Sequence, residues 1–146
     1  MGRIVVGVDG SPGADAALRF AIGEARLRGA GLRIVYAWEV PAALWSAGYV
    51  PVDVSAEYEQ AAMRTIEESL ARVPADTSGI PIEPQARRGQ PAQELLEASV
   101  GADLLVVGSR GRGGFASLML GSVSQQVAHH AECPVVIVRA PQPPER

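Results

Sequence analysis

At 146 residues the chain has the length of one domain, enough to bury a core without disulfides or a structural metal. An apolar share of 47% against 20% charged excludes a disordered chain, and a net charge of -3 speaks against a general binder of nucleic acid. All thirteen basic residues are arginine, which excludes a Walker-type phosphate loop and any Schiff-base mechanism, since both need lysine. Cys133 stands alone and has no partner for an intramolecular bridge, so a reducing compartment is expected. No signal-like start and no apolar run approaching about eighteen residues is present, which gives a cytoplasmic expectation without membrane contact.

In chain order, Arg3 to Val8 reads as a short buried strand. Asp9-Gly10-Ser11-Pro12-Gly13 turns into a helix with Ser11 as N-cap and Pro12 at the first helical position. Ala17, Leu18, Ala21, Ile22 and Ala25 share one face of that helix, which is predicted to end near Gly29 to Gly31. Leu32 to Ala37 is a second apolar strand, and strand, helix, strand makes a right-handed parallel crossover. Trp38 to Ser55 has no period and is predicted as a long loop. From Ala56 a helical stripe of Tyr58, Ala62, Ile66, Leu70 and Val73 runs toward Pro74.

Ile80 to Arg88 is a strand whose Pro81 and Pro84 suit a sheet edge, with Arg87 and Arg88 expected to face solvent. Gln90-Pro91 starts a third helix, with Leu95, Leu96, Ala98 and Val100, that stops at Gly101. Asp103 to Val107 is a buried strand and Pro134 to Val138 a final one; Pro141 to Arg146 reads as a disordered tail after a single domain spanning 1–140. The alternation specifies an α/β fold: an open, five-stranded, mostly parallel, Rossmann-like sheet with helices on both faces. Ligands of such sheets sit at the carboxyl ends of the strands where the winding reverses.

Between the last two strands lies V-G-S-R-G-R-G-G-F-A-S-L-M-L-G-S-V-S, Val107 to Ser124. Gly108, Gly111, Gly113 and Gly114 permit positive φ and a close approach of ligand to backbone, so that several amides can point into one hollow. Ser122 reads as the N-cap of the next helix, with Gln125 as its capping-box partner, and free amides at a positive dipole end favour an anion. Arg110 and Arg112 stand in the same loop as potential phosphate ligands.

Gly108, two residues, Gly111, nine residues, then Gly121-Ser122 resembles the nucleotide-binding signature of the universal stress protein family. The opening Ile4-Val5-Val6-Gly7-Val8-Asp9-Gly10-Ser11 and the closing His129 to Val138 are similar to that family's first strand and last helix-to-strand junction. The resemblance implies an adenine nucleotide alpha hydrolase-like sheet that binds ATP, with Gly7, Val8, Asp9 and Ala37 around adenosine. Val107, Gly108, Arg110, Gly111, Gly121, Ser122, Val123 and Ser124 would surround ribose and phosphates. Ala37 would act through its backbone. The resemblance also implies a stress-response regulator and a homodimer paired through the last strand, Val135 to Val138, an apolar edge that would otherwise be exposed.

Asp9 suits a ribose hydroxyl or a Mg or Mn ion bridging phosphates, and equally an Asx-turn. Gly111 to Ala116 also fits a dinucleotide G-x-G-x-x-A, but late in the chain and with Arg139, not an acid, after the following strand. No G-x-S-x-G elbow occurs, and His129 and His130, adjacent on a helix, point about 100° apart, so no nucleophile or general base is identifiable. At most slow ATP hydrolysis is expected. A nucleotide-free interaction module and a cAMP-binding protein are the alternatives.

Overall fold

The computed structural model describes residues 1–39, 43, 46–48, 54–110 and 120–140. Strands β1 (Arg3–Gly7), β2 (Gly31–Trp38), β3 (Ile82–Arg88), β4 (Leu104–Gly108) and β5 (Val135–Val138) alternate with helices α1 (Pro12–Arg28), α2 (Val54–Arg72), α3 (Pro91–Ala98) and α4 (Ser122–His130). The strands form one sheet in the order β3-β2-β1-β4-β5, and all four pairings are parallel. The five-stranded α/β architecture is the one the alternation predicts.

Side chains of a strand alternate between faces, and Ile4 to Val6 of β1 and Leu104 to Val107 of β4 are all apolar, so both faces can be covered. Ile4, Val6, Leu104 and Val106 pack against Ala17, Leu18, Ala21 and Ile22 of α1 and Ile66 of α2. Val5, Leu105 and Val107 pack on the opposite face against Ala92 and Leu95 of α3 and Val127 of α4. Of the predicted α2 stripe, Ala62, Ile66 and Val73 are buried, whereas Tyr58 stacks its ring on Trp38 at 5.7 Å and 8°. Trp38 closes β2 and Tyr58 opens α2, so the stack ties both ends of the intervening connection.

Three helix ends follow from local chemistry. The Ser11 hydroxyl accepts from the Ala14 amide at 3.2 Å, Gly29 closes α1 with φ 62°, and the Gln90 side chain accepts from the Gln93 amide at 3.0 Å. The start of α4 departs from expectation. Gly121, with φ -74° and ψ 168°, is the N-cap, Ser122 is the first helical residue, and no side chain caps the turn among the described residues. Gln125 donates its backbone amide to Gly121 at 3.0 Å and its side-chain amide to the Leu120 carbonyl, so there is no capping box.

At the sheet edge β3 accommodates Pro84, as predicted. Arg87 does not face solvent: it is half-buried between Glu94 at 3.0 Å and Glu97 at 3.3 Å, an ion pair that joins β3 to α3. Arg88 is exposed and stands 5.8 Å from the centre of the Trp38 ring. Most of the loop predicted for Trp38 to Ser55 lies outside the described residues, as do Gly111, Arg112, Gly113 and Gly114 and the tail Pro141 to Arg146.

Gly108 owes its identity to packing. Its φ is not positive; a Cβ there would stand 2.9 Å from the carbonyl carbon and oxygen of Gly13, and a Cβ on Gly13 would stand 2.7 Å from the Arg110 oxygen. The end of β4 therefore crosses the first turn of α1 backbone to backbone, closer than any side chain allows. Gly108→Ala is expected to destabilise the fold by about 1–3 kcal/mol through this overlap, measured by urea unfolding.

Candidate functional site

Because β1 lies between β2 and β4, the chain winds outward in one direction through β2 and β3 and in the other through β5. The carboxyl ends of β1 and β4 therefore flank the reversal point. The ladder of β1 with β2 ends at Gly7 opposite Val35, and the Val8 amide donates once more to the Val35 carbonyl at 2.9 Å. Ala37 lies two residues beyond Val35 and so turns its backbone to the same side, past the last rung of that ladder. Val8 is buried; Gly7, Asp9 and Ala37 are half-buried.

Asp9 makes the Asx-turn. Its Oδ1 accepts the Ser11 amide at 2.9 Å, with Gly10 at φ 82° between them. This holds the carboxylate beside the N-terminus of α1. That helix end is already closed, by the Ser11 hydroxyl and by the β4 backbone lying across Gly13.

On the other side, β4 ends opposite Val138 at Gly108, and the Ser109 amide donates to the Val138 carbonyl at 2.8 Å. The Ser109 carbonyl then gathers the start of α4. It accepts the Gly121 amide at 2.6 Å and the Ser124 hydroxyl at 3.0 Å. Ser124 also stands 2.9 Å from the Gly121 carbonyl and is 2% exposed.

The amides of Ser122, Val123 and Ser124 occupy the first turn of α4, where a helix provides no internal acceptor. With no capping side chain, their donors and the positive end of the helix dipole are presented at the carboxyl end of the sheet, which suits an anion. Ser122 is exposed, Val123 and Gly121 are half-buried, and Val107 and Ser109 are buried beneath them.

The structure thus brings Gly7, Val8, Asp9, Ala37, Val107, Gly108, Arg110, Gly121, Ser122, Val123 and Ser124 to one end of the sheet; Gly111 lies outside the described residues. The Gly121 amide is spent on Ser109, and the Ser124 hydroxyl points inward, away from the phosphates that the resemblance places beside it. Ser109 carried no signal of its own, because it acts through a backbone carbonyl that any residue has.

The carboxyls held below their ordinary range are Asp76, by the Ser78 hydroxyl and amide and then Arg26, and Glu83, by the Arg33 guanidinium. Asp76 precedes β3 and Glu83 lies near its start, at the opposite end of the sheet. Among the described residues no three His, Cys, Asp or Glu side chains cluster to hold a metal ion, and no helix is long and apolar enough to cross a membrane.

The chain matches the model of the universal stress protein family over residues 1–139. It is 37% identical over 136 residues to universal stress protein Rv2005c of Mycobacterium tuberculosis, covering 93% of this chain and 45% of that protein. The chain therefore spans about half the length of such relatives. Among solved structures it is similar to a universal stress protein in complex with cAMP, at 30% identity and TM-score 0.68, over 96% of this chain and 98% of the other. It is also similar to the universal stress protein from Archaeoglobus fulgidus in complex with dAMP, at 25% identity and TM-score 0.59, over 94% and 98% of the two chains. With the family model matched over residues 1–139, a relative 37% identical over 93% of the chain, and the fold shared with solved members, the chain belongs to the universal stress protein family.

Proposed function

We propose that this protein binds ATP at the carboxyl ends of β1, β2 and β4 and works as a nucleotide-dependent regulator in the cytoplasm. The first turn of α4 at the β1–β4 reversal point carries this reading: among the described residues Ser11 and Gln90 cap α1 and α3 with side-chain acceptors, and no side chain caps α4. Phosphates lie against the amides of Ser122 to Ser124, with Arg110 beside them, and adenosine lies toward Gly7, Val8, Asp9 and the Ala37 backbone. Val107 and Gly108 form the floor. Family relatives in complex with cAMP and dAMP support an adenine nucleotide as the ligand.

Asp9 already accepts one hydrogen bond and is a single carboxylate, which fits a Mg or Mn ion that arrives on the phosphates rather than a resident ion. When bound, such an ion supplies charge neutralisation between phosphate oxygens. Asp9 is then positioned by its turn to meet the ion or a ribose hydroxyl. Without a base to activate water, hydrolysis is slow at most, and the bound state acts by changing the contacts of the crevice.

A millimolar ATP and magnesium mixture is expected to stabilise the nucleotide-free protein by about 2.7 kcal/mol at a hundredfold excess over Kd, a thermal shift on the order of 5–10 °C. No shift would favour an interaction module that uses no nucleotide. Displacement of ATP by equimolar cAMP would favour the cyclic ligand, which the cAMP complex of a relative makes the second reading. Gly121→Val should abolish ATP binding, since its extended φ of -74° admits valine while the branched side chain enters the phosphate approach.

We further propose a homodimer through β5, at the open edge of the sheet with Val135, Val136, Ile137 and Val138 all half-buried. The carbonyls of Pro134 and Val138 bond to β4, so by strand alternation the backbone groups of Val135 and Ile137 point outward. Ile137→Pro removes one outward donor without touching the β4 ladder. It is expected to yield a folded monomer by light scattering where the parent chain is a dimer; an unchanged dimer would place the interface elsewhere.

A further inference from the structure

Resemblance places Ser124 among the residues that surround the phosphates, yet its hydroxyl is turned away from them. It is 2% exposed and has two acceptors within reach, the Ser109 carbonyl at 3.0 Å and the Gly121 carbonyl at 2.9 Å. A serine hydroxyl has one hydrogen to donate: given to Ser109 it ties α4 to the end of β4, and given to Gly121 it braces the helix turn beside the same small knot. The knot's third member is the Gly121 amide, 2.6 Å from the Ser109 carbonyl. Ser109 is itself fixed, because its amide donates to Val138 in β5 at 2.8 Å. A continuous path of hydrogen bonds thus runs from the edge strand through the end of β4 to the first turn of α4.

What this path does is set direction. A helix dipole and three amides attract an anion only where they point, and the first turn of a helix without a side-chain cap has little of its own to hold it. Val127, one turn further on, is the first fully buried apolar anchor of α4; in the turn ahead of it Val123 packs half-buried against the same cluster, and the Ser109 knot is its polar tie to β4.

We infer that the Ser124 side chain is a positioning group: its buried hydroxyl, which does not itself touch the nucleotide, pins the first turn of α4 to the Ser109 carbonyl and thereby aims the Ser122, Val123 and Ser124 amides at the phosphates. This rests on the nucleotide-binding reading above and reassigns one residue within it.

The test compares the full chain with Ser124→Ala and Ser124→Thr, titrated with ATP plus magnesium and with adenosine, which lacks phosphate. Ser124→Ala is expected to weaken ATP about tenfold, the worth of one neutral hydrogen bond, while adenosine affinity stays within about twofold. Ser124→Thr, which keeps the hydroxyl, is expected to bind ATP within about threefold of the parent, and hydrogen exchange of the Ser122 and Val123 amides is expected to rise in the alanine variant alone. Unchanged ATP affinity in a folded Ser124→Ala overturns the assignment, as does an equal loss for ATP and adenosine, which marks general destabilisation. A parent chain that binds neither ligand overturns the nucleotide reading and this assignment with it, and is told apart from the other two results by the parent titration itself.

Discussion

Parallel pairing of β1 with β4, Ile4 to Val6 beside Leu104 to Val106, is the constraint from which the site follows. Strands adjacent in space but remote in sequence force the chain to wind both ways from the centre, and the two connections that leave β1 and β4 depart to opposite faces of the sheet. A gap opens between them at the carboxyl end. The gap is narrowed by the contact of Gly108 with Gly13, which lets β4 cross α1 at backbone distance. Two helix starts are therefore brought to one end of the sheet.

Those two starts are chemically unequal. The first turn of α1 is occupied by Ser11 and overlaid by Arg110, whereas that of α4 is held from beneath by the Ser109 carbonyl and lacks a cap above. The proposed phosphate site is therefore the second, where amides and dipole bind by position and charge. Asp9 is tied into its own turn, so in the proposed complex a divalent ion would arrive with the ligand.

Much of this was legible in the sequence because the strands are apolar runs bounded by turn chemistry, and because Ser11, Pro12 and Gly29 are locally sufficient to start and stop α1. Membership of the family was legible from the glycine spacing. The exact start of α4 was not. Gly121-Ser122-Val123-Ser124-Gln125 offers Ser122 as a cap with a matching Gln125, and the register is decided one residue earlier by the bond from the Gly121 amide to Ser109, twelve residues back across the loop. Gly108 was read for its freedom of φ; its actual reason is a contact with Gly13, ninety-five positions away, which no local pattern encodes. Arg87 was assigned to solvent for want of any sign that Glu94 and Glu97 on the following helix would face it.

The central claim is that three particular amides meet phosphate. Nitrogen-15 correlation NMR of the chain, titrated in parallel with ATP and with adenosine, measures each amide directly. The account predicts large shifts at Ser122, Val123 and Ser124 with ATP that adenosine does not reproduce. Binding of ATP that leaves those three signals unmoved would contradict it.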